Sequence, residues 1–91
     1  MYSYAYSENL VRKLEKIKKK DKKQFEIIIK KIKEIKNKLN DNIDYYKNLR
    51  YNLKGLKRAH IGHFVLVFRI DYVNKIISFE DYDHHDKIYE W

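Results

Sequence analysis

The stretch FVLVFRID, residues 64–71, carries the strongest structural signal in this 91-residue chain. Large apolar side chains stand at every second position, the period of a strand with one face on a hydrophobic core: Phe64, Leu66, Phe68 and Ile70. The opposite face of the same strand then presents His63, Val65, Val67 and Arg69. The pattern predicts a strand over residues 63–71 with one face packed on helices and the other face open.

Shorter strands are predicted on both sides of this stretch. Residues 55–61 precede it, and residues 75–82 follow it after a turn at residues 72–74. Short connections of this kind join antiparallel strands. Near the N-terminus, tyrosines alternate with small residues over positions 2–6, which predicts one more short strand.

Two helices are predicted between the first strand and the rest. Apolar residues at three- and four-residue spacing indicate a helix over residues 7–20, with Ser7 as its N-cap, and a second over residues 21–39. Asp21 and Gln24 have the spacing of a capping box, which separates the two. Residues 43–53 read as a loop. The tight break predicts an antiparallel helical hairpin whose apolar stripes both face the sheet.

The predicted element order is therefore β-α-α-β-β-β. This order indicates an α+β fold in which the N-terminal helical hairpin covers one face of a mainly antiparallel sheet. A chain of 91 residues has room for one domain, spanning residues 1–91.

Composition narrows the classes of function. The chain has no cysteine, which excludes disulfides and thiolate-ligated zinc, and no apolar run approaches a membrane span. With no signal peptide visible, we expect a cytoplasmic protein that does not enter a membrane. Residues 12–38 hold thirteen Lys or Arg and four acids, a local balance of +9. Such a surface attracts a polyanion, either nucleic acid or an acidic membrane, or an acidic protein partner.

The candidate chemistry gathers at the C-terminal strands. If Arg58 and His60 share the open face with His63 and Arg69, two cations and two imidazoles converge there. A one-residue bulge at residues 61–62 would shift this register. This set suits cleavage of an RNA phosphodiester, because histidines can move both protons near neutral pH and cations stabilise the crowded phosphate. A single histidine is nevertheless more often a plain surface residue. No metal or cofactor is required, and the Asp/His cluster over residues 81–86 does not have a recognised metal-binding spacing.

Three segments together resemble the RelE-like toxins of type II toxin–antitoxin systems: residues 53–62, residues 67–71 and residues 83–89. The resemblance implies a small α+β fold, the RelE-like microbial ribonuclease fold. It also implies ribosome-dependent, metal-independent cleavage of mRNA that inhibits translation. A cognate antitoxin, RelB-like and acidic, would neutralise the toxin.

The same resemblance assigns roles by position. It implies catalytic roles for His60, His85, Arg58 and Tyr89, with His63 nearby. It implies phosphate or RNA binding by Lys54, Lys57, Arg69 and His84. His60 on the basic strand, and His85 four residues before Tyr89, resemble the histidine pattern of the YafQ-like branch.

An alternative remains open. Many members carry an arginine where this chain has Val65 and another where it has His85. A ParE-like gyrase inhibitor, or a catalytically degenerate homologue that only binds its antitoxin, would also fit these departures. Plain RNA binding through the basic helices is a third interpretation.

Overall fold

The computed structural model describes residues 1–47 and 55–88. Within them the chain forms, in order, β1 (Ser3–Tyr6), α1 (Glu8–Lys20), α2 (Lys22–Asp41), β2 (Leu56–Ile61), β3 (Phe64–Asp71), β4 (Ile76–His84) and α3 (His85–Ile88). The predicted element order is confirmed, with a short C-terminal helix added. The expected loop over residues 43–53 is described only as far as Lys47.

The four strands form one sheet in the order β1-β4-β3-β2. The β2–β3 and β3–β4 pairs are antiparallel, whereas β1 pairs parallel with β4. The chain can make this parallel pairing because the α1–α2 hairpin returns it across the sheet. The α+β assignment with a mainly antiparallel sheet is therefore confirmed.

Side-chain caps fix the starts of both long helices. The Ser7 hydroxyl accepts a hydrogen bond from the Leu10 amide at 3.0 Å and donates one to the Glu80 carbonyl at 2.5 Å. The Asp21 carboxylate accepts from the Gln24 amide at 3.0 Å. The Gln24 side chain does not complete a capping box, because its amide donates instead to the Tyr82 hydroxyl at 2.6 Å. Each cap region thus also ties a helix start to β4.

The main core lies between the helical hairpin and one face of the sheet. It contains the predicted apolar stripes of both helices, and its largest fully buried side chains come from the sheet and helices alike: Leu10, Ile28, Ile35, Leu66, Phe68, Ile77 and Phe79. Phe64 departs from the prediction. It shares the helix-facing side of β3 but is 37% exposed, because it stands at the strand end beyond the helices' main coverage.

The other face of the sheet is not open, as the sequence had suggested. Val65 and Val67 are completely buried in a second apolar cluster with Leu56 and Ile88. Ile88 belongs to α3, so the C-terminal helix covers this part of the sheet. Among the described residues, α3 thus leaves the edges of this face for a polar substrate to approach.

The strand register holds through the turn that joins β2 and β3. Gly62 has a φ of +61°, a conformation that suits the first position of a two-residue hairpin turn, and the pairing on both sides of the turn is regular. The irregularity lies elsewhere: Val67 pairs with Asp81 and Phe68 with Phe79, which leaves Glu80 as a bulge in β4. Directly after the bulge, Asp81 and Asp83 accept hydrogen bonds from Lys13 of α1.

No helix in the described ranges combines the length and the apolar character needed to cross a membrane.

Candidate active site

The histidine pair of His60 and His85 lies where β2 and the start of α3 meet. Register places His60 opposite Val65 on the face that α3 covers. The two imidazole rings are nearly parallel, with centroids 6.0 Å apart and an interplanar angle of 26°. Both residues are exposed. The sequence placed these two residues 25 positions apart, and the fold brings them together at one accessible point.

A second histidine pair lies beside the first, at the β2–β3 turn. The His63 and His84 rings are 6.4 Å apart at an angle of 17°. The His63 carbonyl accepts a hydrogen bond from the His85 amide at 2.9 Å, which attaches the start of α3 to the turn. His63 is therefore a turn residue next to the His60–His85 pair, and all four histidines gather at one end of the sheet.

Arg58 lies on the same edge strand as His60, two residues earlier. Both residues line a groove of about 350 Å³ together with Lys31 of α2 and the aromatic residues Tyr45 and Tyr46. Tyr46 anchors this wall because its ring packs edge-on against Phe68 at 5.4 Å. The groove places cations beside an imidazole, which is the arrangement that phosphate binding and proton transfer require together.

Electrostatics keep His60 neutral. Partial burial lowers its pKa from the usual 6.5, and the positive charges of Arg58, a protonated His85 and Lys31 lower it further. Each of these effects disfavours the imidazolium form. A neutral imidazole at pH 7 can accept a proton, so His60 has the state that a general base needs.

A partly buried ionic network fixes the end of β4. Lys13 of α1 donates to Asp81 at 2.6 Å, to Asp83 at 3.0 Å and to the Tyr82 carbonyl at 3.2 Å. Asn9 donates to the same Asp81 carboxylate oxygen at 3.0 Å. Because β4 leads directly into His84 and His85, this network positions the strand end that carries both histidines.

The remaining predicted site residues fall in different places. Lys57 is only 8% exposed and projects with Ala59 toward the helices, away from the side of Arg58 and His60. Arg69 is exposed and pairs in register with Leu56 at the far end of β2. Lys54 and Tyr89 lie outside the described residues, so their predicted roles stay predictions. Among the residues that are described, the Asp/His cluster over 81–86 does not bring three side chains into a set that could hold a metal ion.

Similarity to other proteins is strong in sequence, although no family model matches the chain. An uncharacterized protein of Methanosarcina mazei is 50% identical over 90 residues, covering 98% of this chain and 100% of that protein. The "Putative toxin RelE4" of Methanocaldococcus jannaschii is 45% identical over 91 residues, covering 99% of this chain and 93% of that protein. The chain belongs to the RelE-like toxin family. The predicted family membership is confirmed.

Solved structures agree on the fold of this RelE-like toxin. The toxin–antitoxin complex RelBE2 of Mycobacterium tuberculosis contains a chain with a TM-score of 0.63 at 22% identity, covering 92% of this chain and 98% of that one. A chain in the Escherichia coli DinJ–YafQ complex gives a TM-score of 0.66 at 20% identity, covering 96% and 97%. These likenesses confirm the RelE/YafQ-like architecture.

Two features of the site escaped the sequence. Lys31 and Tyr45 line the groove of Arg58 and His60, but they come from α2 and the segment after it, and no local pattern connects them to β2. The period-two position of Phe64 predicts a core residue, whereas the structure leaves this side chain exposed. Its place at the first residue of a strand, directly after a turn, is the signal that could have predicted its exposure.

Proposed function

We propose that this RelE-like toxin is a cytoplasmic endoribonuclease that cleaves mRNA on the ribosome and is neutralised by an acidic antitoxin. The observation that carries the proposal is the stacked pair of His60 and His85 beside Arg58 at an accessible edge of the sheet. Cleavage of RNA needs one group that accepts the 2′-hydroxyl proton and one that protonates the leaving 5′-oxygen. Two imidazoles at this separation can divide those tasks without a metal ion.

The proposed roles divide the two proton transfers between the paired histidines. The lowered pKa of His60 favours it as the general base, which leaves the role of general acid to His85. Arg58 stabilises the charge that develops on the crowded phosphate. Tyr89 positions the nucleotide, and the other predicted RNA contacts, including Lys54, Arg69 and His84, bind the strand away from the reacting phosphate.

An antitoxin partner is part of the same proposal. RelBE2 is a toxin–antitoxin complex, and YafQ was solved in complex with DinJ, which supports a protein partner of this kind here. The basic surface of residues 12–38 is complementary to an acidic peptide. Co-expression of an acidic antitoxin should abolish the growth arrest that this chain causes when expressed alone.

Purified protein with programmed ribosomes tests the activity. Primer extension should show new mRNA ends within codons for the wild type, and a His60→Ala/His85→Ala variant should lose them by a factor of 100 or more, on the order expected for acid–base groups. Tyr72→Phe, a change in the β3–β4 turn, is the control and should cleave normally. Cleavage that persists unchanged in the double variant would show that the histidines do not carry the reaction.

A second candidate has one observation in its favour. Val65, where many members carry an arginine, is completely buried under Ile88, so no cation can be supplied from that position. A gyrase inhibitor or an inactive antitoxin-binding homologue would tolerate this loss. Growth arrest with DNA damage and intact mRNA would establish the first of these, and antitoxin binding without growth arrest would establish the second.

A further inference from the structure

A second groove opens on the opposite side of the histidine end of the sheet. It lies between α1, the start of α2 and the ends of β3 and β4, and its volume is about 500 Å³. Phe64, Tyr82 and Ile17 line it, with Lys16 and Lys20 of α1 beside them. We call this the Phe64 groove. Neither the proposed acid–base pair nor the predicted phosphate ligands lie in it.

The aromatic wall of the Phe64 groove is flat and rigid. The Phe64 ring stacks on Tyr82 with centroids 5.1 Å apart and planes only 9° from parallel. Tyr82 is itself held by the hydrogen bond from Gln24 to its hydroxyl. Phe64 is 37% exposed although it is a large apolar side chain. An exposed ring on a fixed backing is the platform on which nucleic-acid bases stack.

The charges around the groove leave two lysines for a ligand. Lys13 is paired with both Asp81 and Asp83, so its single positive charge is not available to a ligand. Asp21 is occupied as the N-cap of α2. Lys16 and Lys20 are exposed and four residues apart, hence on the same side of α1. They supply positive charge at the rim above the aromatic wall.

Ring contacts connect the Phe64 groove to the histidine pairs. The Phe64 ring meets His84 edge-on at 5.6 Å, and His84 stacks near His63. The next residue, His85, stacks on His60. Aromatic side chains therefore lead from the proposed cleavage point around the end of the sheet into the groove.

We propose that the Phe64 groove binds one nucleotide of the single-stranded RNA that flanks the cleaved phosphodiester, with its base on Phe64 and its phosphate on Lys16 and Lys20. This inference rests on the proposed function, since it takes RNA as the substrate. The ring contacts that link the groove to the histidine pairs favour RNA over an acidic peptide, because a strand held at His60 could continue along these aromatic side chains.

The test uses fluorescence anisotropy with short 2′-O-methyl RNA, which cannot be cleaved, and a set of the same oligonucleotides with one abasic position each. One abasic position should weaken binding to the wild type by about 5- to 100-fold, the effect of losing one stacked base. In Phe64→Leu, which keeps an apolar side chain but removes the ring, the intact RNA should bind correspondingly less tightly. The abasic position should then cause almost no further loss.

A matched pair of charge variants provides the control. Lys16→Gln/Lys20→Gln should weaken binding several-fold more than Lys30→Gln/Lys33→Gln, which removes the same charge from an exposed part of α2 beside a different surface depression. A missing cooperative thermal transition would show that Phe64→Leu is not folded. The two lysine variants and the abasic series on the wild type would then still test the nucleotide site. Equal losses in the two lysine variants would overturn the proposal.

The remaining outcomes of the binding assays are also decisive. Wild-type affinity that is the same at every abasic position, or an abasic effect that persists in Phe64→Leu, would overturn the nucleotide site. A synthetic acidic amphipathic peptide that loses affinity in Phe64→Leu, while RNA does not, would assign the groove to a protein partner. The binding assay does not depend on cleavage. If the wild type shows the abasic effect but has no ribonuclease activity, the proposed function is contradicted while the nucleotide site stands.

Discussion

At the scale of single residues, the protonation state of His60 sets the expected pH dependence. Its pKa lies below 6.5, chiefly because of burial and then because of Arg58, so the imidazole is neutral at pH 7. Cleavage should therefore fall as the pH drops below about 6.5 and His60 becomes protonated. Protonation also favours the unfolded chain, where this histidine has its ordinary pKa, so the free energy of unfolding should decrease over the same range.

An NMR titration of the His60 ring protons measures this directly. The midpoint should lie below 6.5 in the wild type, and Arg58→Met should raise it, since the variant removes a positive charge that disfavours protonation of His60. Arg12→Met, on the exposed side of α1, is the control and should leave the midpoint where it was. A midpoint above 6.5 in the wild type would contradict the assignment of His60 as the base.

Lys13 is the residue whose loss should most weaken the end of β4. Asp81 is 8% exposed, and Lys13→Met would remove its shortest hydrogen bond, at 2.6 Å, from a nearly buried carboxylate. We expect a loss of about 1–3 kcal/mol in the free energy of unfolding, measured by urea denaturation. Lys31→Met breaks an exposed pair with Glu34 of similar length, 2.7 Å, and should cost about 0.5 kcal/mol or less. Equal costs would show that burial does not distinguish the two pairs.

The same network predicts a specific sensitivity to acid. Burial alone would raise the pKa of Asp83, but hydrogen bonds from Lys13 and from the His84 amide lower it below the usual 3.8. The resulting stabilisation is complete above about pH 3.8, the unfolded value, and is lost as the pH falls through the lower folded value. In Lys13→Met, urea denaturation between about pH 5 and pH 2 should show a smaller acid-dependent loss of stability than in the wild type.

At the scale of elements, Ser7 connects a helix start to the sheet. Its hydroxyl caps α1 and also donates to the carbonyl of Glu80, the bulged residue of β4. Ser7→Ala removes both hydrogen bonds and should cost about 1–2 kcal/mol in urea denaturation. Asp21→Ala removes a single exposed cap and should cost about 1 kcal/mol. A smaller cost at Ser7 than at Asp21 would argue against the coupling of α1 to the bulge.

The elements also show where sequence reasoning succeeds. The predicted first helix over 7–20 and second helix over 21–39 match Glu8–Lys20 and Lys22–Asp41, because an apolar stripe at helical spacing and a capping side chain are both local signals. β4 extends to His84, beyond the predicted residue 82. The bulge at Glu80 and the pairing of His84 with Phe64 prolong it, and both depend on a neighbouring strand.

At the scale of the whole molecule, the net charge of +8 predicts a strongly salt-dependent affinity for RNA. The logarithm of the affinity should fall linearly with the logarithm of the salt concentration, since lysines release counterions from phosphates. Lys16→Gln/Lys20→Gln should reduce that slope by about 1, whereas Phe64→Leu should lower the affinity without changing the slope. Anisotropy titrations at three salt concentrations measure both, and a slope that changes equally in the two variants would contradict the separate roles of ring and charge.

The sequence by itself determined the fold class and the family, whereas the regular register of the β2–β3 hairpin was settled by the structure. These depend on side-chain period, on caps and turns, and on short motifs, all of which are local along the chain. It also marked the end of the sheet where all four histidines gather, through Arg58, His60 and His85.

Only the tertiary structure decided how that end is built. It stacked His60 on His85, covered Val65 with Ile88, turned Lys57 toward the helices and exposed Phe64 beside Lys16 and Lys20. Each of these outcomes depends on which element packs against which face. That choice is made by contacts between residues far apart in the chain, and no local pattern records it.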